Sequence, residues 1–281
     1  PAFVARLIKA ANAARGGGGR PIASIHDALM VLGIPAVRSM ALGFSLLSNF
    51  NSGNCRNFDY AHFWSRSLVF AVALQALVKT THAAPADEAF SVGLLAHIGE
   101  LALATIFPDD YARLLAQLRE PGAASLLELE QRLLVMTHNE LSAAMMLDWG
   151  LPKVFAEPVF FQENPEAAGF AAGDRHHAML WSLVLADHIA DICLAPDEQR
   201  RRLMPPLLAL GTRVSIGAET LIAMCDQVAR EWREWGHLLD VQTSEVPSFE
   251  KLTQPVPGGA AEDGMRVLVV DDEPGMRTLL K

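Results

Sequence analysis

Apolar residues recur every three or four positions along most of this chain, and that spacing predicts helices rather than strands. Residues 60–79 show the pattern most clearly, because Trp64, Leu68 and Val72 fall on one stripe of the predicted helix. A stripe of this kind is stable only when other elements cover it. Residues 1–240 therefore predict an all-α bundle of many helices.

Two helix starts are specified in detail. Ser125 with Glu128, and Thr137 with Glu140, each fit a capping box, in which a hydroxyl and a carboxylate bind two free amide groups at the start of a helix. The other helices expected from the spacing span residues 3–11, 26–32, 35–50, 60–79, 87–106, 174–194, 196–210 and 219–239, with a glycine-rich loop at 16–19.

The composition limits the class of protein. The 281 residues carry a formal net charge of −9 at pH 7, and an acidic chain of this kind is a poor binder of nucleic acid. Arg200-Arg201-Arg202 is the single basic run, and we expect a solvated helix end there. No apolar run approaches the roughly 20 residues that span a bilayer, and the three cysteines lack zinc-binding spacing. The sequence therefore predicts a cytoplasmic protein that binds neither membrane nor nucleic acid.

The pattern changes after the last predicted helix. Residues 241–264 are rich in proline and glycine and predict a linker. In residues 265–281, the β-branched run 267–270 predicts a short buried strand, followed by an acidic turn and the start of a helix. We thus expect a helical domain over 1–240, a linker, and a short C-terminal β-α fragment.

One segment of the helical region carries a recognisable motif, Gly93-Leu94-Leu95-Ala96-His97-Ile98-Gly99-Glu100. It resembles the central motif of the HD superfamily of metal-dependent phosphohydrolases, which reads Gly-Leu-Leu-His-Asp-Ile-Gly-Lys. Three further segments resemble signatures of the HDOD family, a branch of that superfamily in bacterial signalling proteins: residues 7–14, residues 22–33, and His138 with residues 149–152. The resemblance covers residues 1–240 and implies an HD-like bundle. The first helices of the family are not represented, so we expect a chain cut at its N-terminus.

The resemblance also implies a metal site that this sequence has largely lost. Enzymes of the superfamily hold the metal through an early His, an adjacent His-Asp pair and a late Asp. The early position falls near Arg66, whose guanidinium cannot ligate a cation, and Gln162 lies in a segment where a further His pair is expected. Only Asp187 matches the late carboxylate. The degenerate site, expected to form a ligand pocket without metal, cofactor or catalytic residue, comprises Arg66, Ala96, His97, His138, Gln162 and Asp187.

The tail resembles the opening of a response-regulator receiver domain. Val267 to Val270, followed by Asp271 and Asp272, look like its first strand and acidic pair. In that family the pair helps to bind Mg²⁺ beside a phospho-acceptor Asp several tens of residues further on. The chain ends at Lys281, so we expect a truncated receiver start with an incomplete site, and Mg²⁺ only in a complete receiver domain.

Other histidines are expected to be structural. His26-Asp27 is a literal His-Asp pair, but it lies in the wrong signature and is expected at a helix start, with Ser24 or Asp27 as the cap. For His97, a hydrogen-bonded histidine packed in the core is a better expectation than a ligand-binding one.

These observations favour a non-catalytic signal-transduction domain that binds a ligand or partner and modulates an attached receiver or output module. The expected partners are signalling proteins, the attached output domain, and a small-molecule or nucleotide ligand. Two alternatives stay open. One is a divergent HD phosphohydrolase that acts on nucleotides through Asp187 with His97 or His138, and the other is a scaffold whose helical surface docks other proteins.

Overall fold

A computed structural model describes residues 2–15 and 21–254, and most of these residues are helical. The all-α prediction is confirmed for them. The described helices are α1 (Ala2–Arg15), α2 (Ile25–Asn49), α3 (Tyr60–Thr81), α4 (Ala86–Leu95), α5 (Ile98–Ile106), α6 (Pro108–Leu118), α7 (Leu126–Leu134), α8 (His138–Asp148), α9 (Lys153–Phe161), α10 (Arg175–Leu194), α11 (Asp197–Arg213), α12 (Ala218–Leu239) and α13 (Phe249–Thr253), with a short 3₁₀ helix at Pro165–Ala168.

Helix α3 lies at the centre of the bundle. Its middle section, from Ser67 to Gln75, is buried on every side, and α4, α10 and α12 pack around it. A helix that is apolar on all sides is stable only inside such a shell. The shell therefore explains why the apolar pattern of residues 60–79 is so dense, and it makes any charged residue on α3 conspicuous.

Both predicted capping boxes are confirmed. The Ser125 hydroxyl accepts the backbone N–H of Glu128, and the Thr137 hydroxyl accepts that of Glu140. Each glutamate carboxylate in turn accepts the backbone N–H of its own cap residue. Helices α7 and α8 thus begin where the local sequence specifies.

Helix α2 bends sharply at Gly33, where the sequence predicted that one helix would end. Gly33 has φ 76° and ψ 162°, a left-handed conformation that glycine adopts at little cost. The two arms, His26–Ile34 and Ala36–Asn49, meet at 96°. The second arm then packs against α4.

The single helix predicted over residues 87–106 is wrong, because the chain breaks into α4 and α5 at Ala96 and His97. His97 has φ −106° and ψ 15°, outside the helical range. No glycine or proline stands at the break itself, so its cause is tertiary rather than local.

Two close helix contacts explain the break. A Cβ added at Gly93 would lie 2.6 Å from the Cα of Ala71 on α3, and one added at Gly99 would lie 2.8 Å from the carbonyl carbon of His138 on α8. Each glycine therefore lets its helix touch the backbone of a different partner. The two glycines of the motif therefore determine which backbone α4 and α5 each contact, on either side of the break at Ala96 and His97.

The expectation of a solvated basic helix end at residues 200–202 is wrong for Arg200, which is 4% exposed. Its Nε donates to the carbonyl of Ile192 at 3.2 Å, and its Nη2 donates to that of Cys193 at 3.3 Å. Carbonyl groups in the last turn of a helix have no partner inside the helix, and a cation there is favoured by the helix dipole. Arg200 therefore closes the C-terminus of α10.

Residues 241–254, the first part of the predicted linker, lie along the bundle and are called the strap below. The Ser65 hydroxyl on α3 donates to the carbonyl of Gln242 at 2.6 Å. The backbone N–H of Phe249 donates to Asp226 Oδ1 at 2.8 Å, and the Phe249 ring is fully buried. The linker prediction did not anticipate α13 or these contacts; the domain boundaries themselves stay a prediction.

Three other predictions lie outside the described residues. They concern the glycine-rich loop at 16–19, the remainder of the linker, and the receiver-like fragment 265–281 with Asp271 and Asp272.

Among the described residues, three segments have the length and hydropathy of a membrane-spanning helix, contrary to the expectation that no apolar run would approach that length. They are Tyr60–Thr81, Ala86–Ile106 and Arg175–Leu194, and 78%, 78% and 67% of their most apolar windows are buried inside the bundle. Burial against other helices of the same chain accounts for this composition.

Candidate functional site

Arg66 on α3 is held by two carboxylates of α10. Its Nη2 lies 2.6 Å from Asp187 Oδ1, and its Nη1 lies 2.7 Å from Asp191 Oδ1. Burial disfavours the charged guanidinium, but the two carboxylates outweigh it and raise the pKa of Arg66. The guanidinium is therefore a permanent cation, near the position where the sequence resemblance puts the early histidine of the superfamily.

His97 lies beside this ion pair, at the break between α4 and α5. Its Nε2 is 3.7 Å from Asp187 Oδ1, and its ring packs edge-on against Phe70 with 4.8 Å between the ring centroids. Burial, followed by the positive charges of Arg66 and His138, lowers the pKa of His97 from 6.5 to about 3. Its Nδ1 is buried with no hydrogen-bond partner among the described residues. His97 is thus a neutral core histidine, although it is not tied by the close hydrogen bond that we expected.

The neutral state of His97 predicts a loss of stability in acid. The unfolded chain takes up this proton near pH 6.5, whereas the folded chain does so only near pH 3, so unfolding becomes easier as the pH falls through that window. Between about pH 7 and about pH 5 we expect the group to remove about 2 kcal/mol from the free energy of unfolding. The variant His97→Asn should lack this loss in urea unfolding at the two pH values. The same pH dependence in both proteins would show that His97 is not buried as a neutral ring.

His138 is the centre of a buried charged cluster. Its Nδ1 lies 2.7 Å from Glu130 Oε2, and its Nε2 lies 2.6 Å from Glu163 Oε1. Glu130 also accepts the backbone N–H of His138 at 2.8 Å and the hydroxyl of Tyr111 at 2.9 Å. Burial alone would lower the pKa of His138, but the hydrogen bonds to both glutamates outweigh it and raise that pKa well above 6.5. A charged His138 therefore joins α7, α8 and the segment after α9.

Gln162 connects this cluster to the break between α4 and α5. Its Nε2 donates to Asn139 Oδ1 at 2.9 Å and to the carbonyl of Ala96 at 3.4 Å. Its Oε1 is buried without a partner among the described residues. Ala96 contributes only this carbonyl, because its side chain is a methyl group, whereas the resemblance to the superfamily implies a metal-binding imidazole there.

The six predicted positions lie in one region of the bundle, although sequence reasoning missed Asp191, Glu163 and Glu130, which lie there as well. Asp191 could have been found, since it follows Asp187 by one helical turn and shares its face. Glu163 is the immediate neighbour of the predicted Gln162. Glu130 offered no signal, because a glutamate in a helix is usually solvated, yet it is fully buried here.

The donor set of this region does not fit a catalytic metal ion. Such sites need several imidazole and carboxylate ligands and an open coordination position. The one matching carboxylate, Asp187, is bound by the guanidinium of Arg66, whose charge would repel a cation. Within residues 2–15 and 21–254, no three His, Cys, Asp or Glu side chains are grouped to hold a metal. The residues present therefore disagree with the metal that the HD superfamily implies.

The His26-Asp27 pair lies at the start of α2, as predicted. The Ser24 hydroxyl accepts the backbone N–H of Asp27 at 3.0 Å, and the His26 side chain is exposed. The pair lies in the first turn of α2, which Ser24 caps, and takes no part in the region around Arg66.

Comparison with known proteins agrees with this description. The HDOD domain family matches residues 1–165, and the chain belongs to that family. Among proteins with curated descriptions, none matches this chain.

Three solved structures are similar to this chain. The MmoQ response regulator from Methylococcus capsulatus str. Bath is 36% identical, with a TM-score of 0.56 over 79% of this chain and 84% of that one. An HDOD domain protein with unknown function from Geobacter sulfurreducens is 20% identical, with a TM-score of 0.61 over 84% and 82%. A protein described as a proposed phosphohydrolase from Shewanella amazonensis SB2B is 24% identical, with a TM-score of 0.61 over 85% and 83%. The last two similarities show the fold alone.

Proposed function

We propose that this chain is a non-catalytic regulatory domain of a bacterial two-component signalling protein, which binds a ligand or partner and modulates an attached receiver or output module. The contact between Arg66 and Asp187 carries the proposal, because it puts a fixed cation where HD enzymes need a metal ion. The name of the MmoQ response regulator, a relative at 36% identity, supports the signalling role.

Charge balance explains how the bundle holds together without a metal ion. Asp187 and Asp191 are one turn apart on α10, and like charges at that spacing repel. The guanidinium of Arg66 contacts both carboxylates and so links α3 to α10. In this proposal Arg66 provides the electrostatic support of the lost metal without its chemistry.

A direct path leads from this ion pair to the chain beyond the bundle. Ser65, the residue before Arg66 on α3, donates its hydroxyl to Gln242 of the strap. A change in the position of α3 at Arg66 would therefore move the anchor of the segment that leads to the receiver-like residues. This path supports the regulatory half of the proposal.

Hydrogen exchange followed by mass spectrometry tests the coupling. In Arg66→Met we expect the backbone amides of the strap to exchange on the order of tenfold faster. Local opening of a segment governs the exchange of its amides, and loss of the ion pair would disturb the anchor between Ser65 and Gln242. Arg113→Met is the matched control, since Arg113 pairs with Asp110 on the exposed face of α6. Unchanged exchange in the strap of Arg66→Met would refute the coupling.

An assay of phosphodiester hydrolysis tests the non-catalytic half. We expect no hydrolysis of bis(p-nitrophenyl) phosphate or of cyclic dinucleotides with added Mn²⁺, and no difference between the wild type and Asp187→Asn. Metal-dependent hydrolysis that Asp187→Asn abolishes would favour the divergent phosphohydrolase instead.

The remaining parts of the proposal concern location and the C-terminal fragment. We place the protein in the cytoplasm, apart from membrane and nucleic acid. A receiver domain beginning at residues 265–281 would use Asp271 and Asp272 for Mg²⁺ once complete.

A further inference from the structure

A cavity of about 310 Å³ opens between α2, α4 and the connection from α8 to α9. It lies at the motif Trp149-Gly150-Leu151-Pro152, which the proposed function leaves unused. Side chains of Val92 and Phe155 form apolar parts of its wall, whereas Arg38 and Glu88 bring one charge of each sign.

The motif positions Arg38. The carbonyl of Trp149 accepts a hydrogen bond from Arg38 Nη2 at 2.8 Å. Gly150 follows with φ +81°, and a Cβ added there would lie 3.7 Å from both Nη atoms, so glycine keeps that side of the guanidinium uncovered. A guanidinium has five N–H donors in a planar fork, and this geometry matches a carboxylate. Arg38 is therefore held at the cavity with donors to spare.

Glu88 restricts the ligand further. Glu88 lies in the first turn of α4 and lines the same cavity. Burial is the largest cause that raises the pKa of Glu88 above 4.5, and Asp87 adds to it, whereas the positive charge of Arg175 acts in the opposite direction. The net rise is the behaviour of a carboxylate that lacks full solvation. Such a group opposes a multiply charged anion and favours an ammonium group. The cavity thus offers one place for a negative group and one for a positive group, beside an apolar wall.

Size separates two kinds of ligand. Pockets for small molecules occupy roughly 300–1,000 Å³, and this cavity, at about 310 Å³, falls at the small end. Nucleotides and cyclic dinucleotides are larger and carry phosphate charges that Glu88 would repel. We propose that the cavity binds a free α-amino acid with an apolar side chain, its carboxylate on Arg38, its ammonium group on Glu88 and its side chain against Val92 and Phe155.

This site is separate from the Arg66 ion pair, and binding there does not depend on the regulatory proposal. Two helices nevertheless connect the two places. Helix α4 carries Glu88 and ends just before Ala96, and α9 carries Phe155 and ends beside Gln162. An amino acid between these helices would favour one relative position of α4 and α9.

Calorimetric titration of the full chain tests the assignment. The probes are L-leucine and L-phenylalanine. Their amides, L-leucinamide and L-phenylalaninamide, lack the carboxylate, and the deaminated acids, 4-methylpentanoate and 3-phenylpropanoate, lack the ammonium group. We expect one of the two amino acids to bind, and Arg38→Gln to weaken it at least about tenfold, because hydrogen bonds to charged groups are the strong ones. Arg38→Gln should also abolish the preference for L-leucine or L-phenylalanine over the amide, and Glu88→Gln the preference over the deaminated acid.

The controls separate binding from folding. Arg38 is exposed, so its replacement should leave the circular dichroism spectrum unchanged, and Arg113→Gln serves as the matched exposed arginine. Absence of binding by both amino acids at millimolar concentration would overturn the proposal. Equal affinities in Arg38→Gln and the wild type, or binding of cyclic dinucleotides to this cavity in place of amino acids, would overturn it as well.

Discussion

Glu130→Ala is expected to lower the free energy of unfolding by about 3–5 kcal/mol, because it removes one partner of a buried ion pair and leaves the other charged. The carboxylate accepts three hydrogen bonds, two from His138 and one from Tyr111. The loss of all three leaves a buried imidazolium with Glu163 as its remaining carboxylate contact. The cluster joins α7 to α8, so its loss should weaken the contact between these two helices.

Urea unfolding followed by circular dichroism measures this loss. Glu120→Ala is the control, because Glu120 is exposed and exposed substitutions usually change stability by less than about 0.5 kcal/mol. If Glu130→Ala does not fold, Glu130→Gln keeps the shape and should give a smaller loss of the same sign. A loss within the control range for both variants would mean that His138 is not charged in the folded protein.

Gly99→Ala is expected to destabilise the protein by at least about 3 kcal/mol, at the upper end of overpacking effects. The new Cβ would meet the carbonyl group of His138 and lie 2.9 Å from the backbone N of Ser142. Backbone atoms cannot rotate away as a side chain can. The substitution would also push apart the donor and acceptor of the hydrogen bond from the Gly99 N–H to the Ser142 hydroxyl, 2.8 Å long.

Gly122→Ala gives the matched comparison in the same unfolding experiment. Gly122 has φ +77° with open space around the position of its Cβ, so alanine there meets only the left-handed backbone cost of about 1–2 kcal/mol. We expect Gly99→Ala to be the more damaging of the two by a clear margin. Equal effects would indicate that α5 can shift away from α8, and that the glycine is not required for their close contact.

Local sequence predicted those features that local physics decides. Capping boxes need only a hydroxyl and a carboxylate three residues apart, and both formed where expected. The apolar stripe of residues 60–79 predicted a helix that other elements cover, and the structure buries the middle section of that helix on every side. The retained glycines at positions 93 and 99 indicated the fold, because close backbone contacts depend on them.

The features that sequence missed depend on distant partners. The break at Ala96 and His97 follows from packing against α3 and α8, and both halves have helical spacing of their own. Arg200 looked solvated because the carbonyl groups that it binds belong to the preceding helix. The burial of Glu130 depends on His138 and Tyr111, a pairing that only the folded chain displays.

Metal binding tests the central claim most directly, namely that Arg66 has replaced the catalytic metal of the HD fold. The purified chain would be dialysed against Mn²⁺, Fe²⁺ and Zn²⁺ separately and then analysed by mass spectrometry for bound metal. We predict no stoichiometric metal in the wild type and no change in Asp187→Ala. One tightly bound ion per chain, lost in Asp187→Ala, would contradict the account.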